Sequence, residues 1–329
     1  MVDVKKRENL ETLIEPIDIP YFFSYIWEQK PISVDKRNNH SLLQLFSLEE
    51  FDRIVSLTNL RYPLFRLFRD GVLLPPDQCT TSRQVGYEVD ANLADLNTIY
   101  EHFSDGGTIV LQSLQKVSTP ISKFCISLEK IFKHPVQCYA YLTPPGASGP
   151  PAHYDTHDVF VYQIAGNKKW DIWGNPVSLP MRLVENTYDH SAIESYAKNS
   201  KPTINTTLKE GGYLYIPRGF VHHARTVDSL SLHLSFSVMG IRKIDLLRRA
   251  AAQAMESLTT NKEAQSAIKI RRKLGDSIDY LDKIKIQNCM EEIFSDLHKT
   301  DWKEIHSHEF NRQRHTSSSG ELMRRIKNP

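Results

Sequence analysis

Between Val136 and Val238, short runs of β-branched and aromatic residues alternate with Gly, Pro and Asn turns. That rhythm belongs to a sandwich or barrel. Candidate strands cover 136–142, 158–165, 168–173, 212–216 and 230–238. Asn167 beside Gly166 suits a tight hairpin turn. Together these runs predict a double-stranded β-helix, or jelly roll. The segment 174–210 is polar and reads as an insertion with a short helix near Ser191–Lys198.

Two motifs sit within this region: His153-Tyr154-Asp155, and Tyr215-Ile-Pro-Arg-Gly-Phe-Val-His222. Residues two apart on a strand point to the same face. His153 and Asp155 can therefore reach one ion while Tyr154 points away. A second histidine from a distant strand completes a 2-His-1-carboxylate face, which leaves the opposite positions of an octahedron open, as non-haem Fe(II) oxygenases require. His222 and His223 compete for that place, and alternation lets only one face the cavity. His157 shares parity with 153 and 155, but as a further ligand it overfills the triad; it reads as a supporting or merely polar residue. Lys168 and Lys169 face the same choice, since only one can point inward.

Further runs give these motifs a context. Tyr141-Leu-Thr-Pro-Pro-Gly lies upstream, and Asp158-Val-Phe-Val-Tyr-Gln-Ile-Ala-Gly-Asn-Lys168-Lys-Trp170-Asp-Ile-Trp follows. Near the N-terminus stands Phe22-Phe23-Ser-Tyr-Ile-Trp27-Glu-Gln-Lys-Pro31. Over roughly residues 10 to 240 the chain resembles the JmjC-type, cupin-fold 2-oxoglutarate oxygenases, and within them the ribosomal-oxygenase (cupin-4) branch.

The resemblance implies Fe(II) held by His153, Asp155 and His222, because the family pattern Pro-Arg-Gly-x-x-His selects His222. It implies 2-oxoglutarate as co-substrate, with Lys168 as the clamp for its distal carboxylate, fifteen residues after the first histidine. A buried lone carboxylate is costly, so a cation belongs there. By the same pattern Tyr141 donates to that carboxylate and His233 lies close to the co-substrate. Either can instead be an ordinary core residue. Trp170 and Trp173 read as core, and Arg218 as a brace for the turn before His222. The doubled proline in Gly149-Pro150-Pro151-Ala152 departs from the family and stiffens the entrance. The implied reaction is hydroxylation of a protein or peptide side chain, coupled to decarboxylation of 2-oxoglutarate to succinate. Relatives in the branch act on ribosomal proteins at Arg or His side chains. No catalytic side chain beyond the metal centre is called for. The alternative class is a non-catalytic cupin serving as a metal- or RNA-binding module. No zinc cluster or chromatin-reader motif points to histone demethylation.

Composition adds exclusions. Four scattered cysteines without a CxxC pair argue against a zinc ribbon or disulfide framework and suit a reducing cytoplasm. No apolar run approaches the ~20 residues needed to span a bilayer, and no secretory signal is visible. The chain carries a net charge of +2. Residues 241–329 hold 18 Lys+Arg against 13 Asp+Glu, leaving 23 against 26 elsewhere. A basic C-terminal part can touch RNA, a ribosome or an acidic partner, though solvated helix faces are the simpler explanation.

The expected class is α+β, with N-terminal helices and a C-terminal helical bundle around the jelly roll. Residues 1–240 read as the JmjC-type oxygenase domain, with its β-helix core at about 107–240. Residues 241–313 read as a helical segment suited to homodimerisation, and 314–329 as a loosely ordered basic tail. Within these, Pro31–Val34 reads as an edge strand and Gly107–Gln112 as a strand. Ser47-Leu-Glu-Glu opens a helix through about Leu57, and Ser41 caps a shorter turn. Residues 61–90 read as irregular, and Asn92–Phe103 and Ile121–Phe132 as helices. After Gly240, Leu246, Leu247, Ala250, Ala251 and Ala254 share one helix face. Further helices fit 260–274, 284–299 and 301–312. The ninety or so residues after Gly240 are short for a bundle plus the winged helix that branch relatives carry, which opens another peptide as a candidate substrate.

Overall fold

Two oxygen caps start the N-terminal helices. In a computed structural model that describes residues 10–35, 42–181, 189–257 and 280–314, and only the backbone of 280–286, α1 is Leu10–Ile14 and α2 is Ile19–Tyr25. Asp18 accepts from the Tyr21 amide and Pro20 sits in the first turn of α2, where its missing N–H costs nothing. After β1 (Ile32–Val34), Ser47 accepts from the Glu50 amide at the start of α3 (Leu48–Leu57). The Glu50 carboxylate does not reach back to the cap; it pairs with Arg53 at 2.6 Å.

The next stretch is not irregular. It forms β2 (Phe65–Arg69), β3 (Val72–Leu73), β4 (Thr80–Val85) and β5 (Glu88–Ala94). Prolines and arginines hid the strands because β4 and β5 make an exposed ribbon with little apolar alternation. Asn92 belongs to β5, so the helix expected from there is shorter: α4, Leu96–Ser104, capped by Asp95. Then follow β6 (Thr108–Leu111), α5 (Thr119–Phe132) and β7 (Val136–Thr143). The remainder of this unit is β8 (Asp158–Gly166), β9 (Lys168–Ile172), α6 (His190–Asn199), β10 (Ile204–Leu208), β11 (Tyr213–Ile216), β12 (His222–Arg225) and β13 (Ser231–Val238). The polar stretch 174–210 thus contains a strand as well as its helix.

An eight-stranded sheet runs in the order β1-β11-β8-β13-β7-β6-β2-β3, and a three-stranded sheet in the order β10-β9-β12. Every pairing is antiparallel. Period-two alternation divides the large sheet into two faces. Cys138, Ala140, Phe160, Tyr162, Leu234 and Phe236 join helical residues such as Leu13, Phe22, Phe51 and Phe124 in one buried cluster. On the other face Val159, Val161, Leu214 and Ile216 meet Trp170, Ile172 and Leu208 of the small sheet. The result is the jelly roll with helices on one side, an α+β architecture.

The expected hairpin at Asn167 does not form. β8 belongs to the large sheet and β9 to the small one, so the chain changes sheets at Gly166. Gly166 has φ +64°, and a Cβ there would stand 1.9 Å from the Leu230 carbonyl oxygen. The register of β13 against β8 slips at Leu232/His233, beside this corner.

A second compact unit, Gly240–Arg314, is helical. It contains α7 (Lys243–Ser257), α8 (Tyr280–His298) and α9 (Trp302–Gln313). Ala250 and Ala254 are buried, as is Ile305 of α9, but Leu247 is 48% exposed. The covered stripe is therefore narrower than the sequence pattern. The Ser41 cap, the helix at 260–274 and the tail beyond Arg314 lie outside the described residues. No helix among the described residues is long and apolar enough to cross a membrane.

Replacing Gly166 with alanine forces a left-handed backbone onto a side chain that also collides with backbone. We expect Gly166→Ala to lose at least about 2 kcal/mol of stability. Urea denaturation reads the loss, and an unchanged midpoint contradicts this account of the corner.

Candidate metal centre

His153 and Asp155 do not lie on a regular strand. Residues 152–157 form an irregular segment in which His153 makes an isolated antiparallel bridge to His222. The His222 amide donates to the His153 carbonyl at 2.8 Å, and the His153 amide returns a bond to the His222 carbonyl at 3.1 Å. This one bridge does what a full strand was expected to do. Tyr154 turns away into a separate apolar cluster with Trp173, Ile193 and Val221. The flanking residues turn inward.

His153, Asp155 and His222 each offer a ligand atom, and these atoms lie within 4.8 Å of one another. The His222 Nε2 is 3.7 Å from an Asp155 carboxylate oxygen. His153 Nδ1 donates to the Pro151 carbonyl at 2.7 Å and His222 Nδ1 to that of Phe220 at 3.0 Å. Each ring is thereby fixed with Nε2 as the free lone pair, the tautomer a metal ligand needs. Burial, reinforced by His153, lowers the His222 pKa to about 4, so its imidazole is neutral at physiological pH. Burial works against ionised Asp155, yet His157, His153 and His222 hold its carboxyl below the usual range. The donor set is two imidazoles and one carboxylate, suited to a divalent ion of borderline softness.

The turn that delivers His222 is braced on both sides. Gly219, at φ +88°, donates its amide to the Asp155 carbonyl at 2.9 Å, and a Cβ there would press against the Val177 carbonyl at 2.3 Å. Arg218 reaches Glu28 at 2.6 Å and so ties the turn to the N-terminal segment.

The competitors fall elsewhere. His223 faces away from the cavity, paired in register with Asp171 of β9. His157 lines the cavity with its Nε2 3.9 Å from an Asp155 oxygen.

A cavity of about 290 Å³ opens from the three donors between the two sheets. Lys168 points into it and is 1% exposed, whereas Lys169 is half-buried. Among the described residues the Lys168 ammonium has one hydrogen-bond partner, the Thr143 hydroxyl at 2.8 Å. Thr143 in turn accepts from Thr108 at 3.1 Å. Burial without a counter-charge pulls the Lys168 pKa down to about 7. Tyr141 and His233 stack in parallel with centroids 4.8 Å apart, and Trp170 meets His233 edge-on at 5.5 Å. His233 Nδ1 and Trp170 Nε1 are buried with no hydrogen-bond partner among the described residues. Trp170 is thus both core and cavity wall; Trp173 is core alone.

Several lining residues had no place in the sequence reading. Tyr139 precedes Tyr141 by two, and Ser235 and Ser237 follow His233 by two and four, so strand parity could have found them. Arg66 lay in the stretch read as irregular, where no parity applies.

Residues 111–246 match the family model of the JmjC domain. Among curated proteins it is similar to ribosomal oxygenase 1 of Danio rerio, at 27% identity over 288 residues, covering 85% of this chain and 48% of the relative. It is 29% identical over 233 residues to ribosomal oxygenase 2 of Rattus norvegicus, covering 69% and 46%. A Drosophila persimilis protein named bifunctional lysine-specific demethylase and histidyl-hydroxylase NO66 is 26% identical over 297 residues, covering 88% and 39%. The chain thus spans about half or less of these relatives. The fold matches the crystal structure of Escherichia coli ribosomal oxygenase YcfD with a TM-score of 0.58, 17% identity, and coverage of 92% of this chain and 73% of that one.

Lys168 makes a stability prediction for the ligand-free protein. Between about pH 7 and the ordinary lysine value, the folded state gives up a proton that the unfolded chain keeps. Stability lost to this burial is therefore greatest at and below pH 7 and is recovered as pH rises. We expect Lys168→Met to stabilise the ligand-free protein at pH 7 by on the order of 1–3 kcal/mol, with a smaller gain near pH 10. Urea denaturation across pH checks this; a gain that grows with pH contradicts it.

Proposed function

We propose that this chain is an Fe(II)- and 2-oxoglutarate-dependent dioxygenase that hydroxylates a protein or peptide side chain, from a ribosomal protein or another peptide. The observation that carries the reading is a buried ammonium whose one partner among the described residues is a hydroxyl, in the same cavity as the 2-His-1-carboxylate set. In this reading His153, Asp155 and His222 hold the iron. Lys168 takes the distal carboxylate of 2-oxoglutarate, and Tyr141 and His233 flank it. The YcfD structures in complex with cobalt and succinic acid, and with cobalt and 2-oxoglutarate, support the assignment by analogy of fold.

The bound pair supplies oxidation of a C–H bond by O2, with loss of CO2 from 2-oxoglutarate. The chain's own residues position and exclude. The Pro151 and Phe220 carbonyls hold the two imidazoles in the ligating tautomer. Thr143 holds the Lys168 ammonium in place, so little reorganisation is needed when a carboxylate arrives. Val159, Val161 and Trp170 keep the wall beside the triad apolar, which strengthens each charged contact. The buried Nδ1 of His233 and Nε1 of Trp170 remain as donors or acceptors for a bound group. A metal- or RNA-binding scaffold has no use for a desolvated cation of this kind, whose burial costs stability.

In the same reading residues 1–240 form the oxygenase domain, and residues 241–313 form a homodimer contact. Exposed Leu247, Met255, Met290 and Phe294 on α7 and α8 support the latter.

Two experiments test these assignments. Purified protein with Fe(II), ascorbate and 2-oxoglutarate is expected to release succinate, and Asp155→Ala to abolish the release. Lys168→Ala is expected to weaken 2-oxoglutarate binding by about ten- to a hundredfold while metal still binds. Calorimetry reads both affinities; unchanged 2-oxoglutarate affinity removes Lys168 as the clamp, and no turnover with no 2-oxoglutarate binding removes the oxygenase. Light scattering is expected to give twice the chain mass, and a monomer contradicts the dimer.

A further inference from the structure

The same cavity carries a cation that neither the metal nor the co-substrate uses. Arg66 stands on β2 opposite Val110 of β6, which stands opposite Tyr141 of β7, so the three share one face of the large sheet. Its neighbours in sequence, Phe65 and Leu67, are buried in the helical-side core, which directs Arg66 toward the cavity it lines. The Arg66 Nε is buried and has no hydrogen-bond partner among the described residues. Among the described residues no carboxylate pairs with its guanidinium. Burial raises the pKa of Tyr139 and Tyr141; the charge of Asp155 adds to the rise and that of Arg66 opposes it. Arg66 and Asp155 thus act on the same two phenols. The Tyr139 hydroxyl is already committed, donating to Gln137 at 2.6 Å.

Asp155 is the one carboxylate among the cavity's lining residues. On the proposed reading it belongs to the metal, and Lys168 belongs to the co-substrate carboxylate. Arg66 is then the cation left without a counter-charge. A substrate guanidinium or ammonium entering here finds no acidic partner and meets a like charge, which costs affinity twice. A side chain bearing an oxygen or nitrogen acceptor satisfies the orphaned donor of Arg66 instead.

We infer that Arg66 selects the target side chain, admitting residues with a hydrogen-bond acceptor (carboxylate, carboxamide or neutral imidazole) and excluding arginine and lysine. This rests on the oxygenase reading and narrows it, since the names of its relatives include a lysine-specific demethylase.

The test uses the full chain with Fe(II) and 2-oxoglutarate and peptide libraries with randomised flanks. The central residue is Asp, Asn, Gln, His, Arg or Lys. Mass spectrometry locates added oxygen, and succinate is followed in parallel. The expected result is oxygen on the acceptor residues at about tenfold or more above Arg and Lys, the worth of one charged hydrogen bond. Arg66→Glu is expected to reverse the preference. Arg66→Gln, which keeps a donor without the charge, is expected to narrow the ratio, and it serves if the charge reversal does not fold. Equal or better modification of Arg or Lys by the parent protein overturns the inference. So does succinate release with no oxygen on any acceptor residue, or a ratio that neither variant changes. If the parent binds no 2-oxoglutarate and releases no succinate, the oxygenase reading itself fails and the inference with it.

Discussion

The candidate centre depends on two backbone hydrogen bonds. The bridge between His153 and His222 joins an irregular segment to the start of β12. Without it, two imidazoles far apart in the chain have no reason to meet. With it, their rings sit 4.3 Å apart, and the Asp155 carboxylate, two residues on from His153, completes the set. The Gly219 amide on the Asp155 carbonyl closes the same loop from the other side. A site held by backbone bonds on both flanks needs little reordering to take a ligand.

The rest of the fold supports this small junction. The large sheet spends one face on the helices and reserves the other for the small sheet and the cavity between them. Alternation then places polar groups on that second face: Tyr139 and Tyr141 on β7, His233, Ser235 and Ser237 on β13. Burying these groups and Lys168 opposes folding unless a ligand satisfies them. The helical-side cluster, with Phe22, Phe160, Phe124 and Phe236 among its members, supplies the apolar burial that offsets the cost. Tension between stability and an unsatisfied cavity is what a binding site of this kind displays.

Much of this was legible in the residues. Period-two runs located β7, β8, β9, β11 and β13 to within a residue or two, because each has one face in an apolar cluster. The His153, Asp155 and His222 convergence was foreseen, though the reasoning invoked a strand where the molecule uses a single bridge. The corner at Gly166 was misread because Gly-Asn also suits a hairpin, and only the pairing partners of β9 distinguish the two. The β4–β5 ribbon escaped because nearly all of it is exposed, Leu93 being its one buried residue, so burial leaves little mark on its sequence. Arg66 escaped for a related reason: β2 is short, and prolines and arginines surround it. Parity arguments work only where an element's limits are known.

The most direct test of the convergence is a crystal of the metal-loaded protein examined by anomalous scattering at the metal edge. The account predicts one strong peak about 2 Å from His153 Nε2, His222 Nε2 and an Asp155 carboxylate oxygen. A peak ligated by His157 or His223, or one remote from these three side chains, contradicts it.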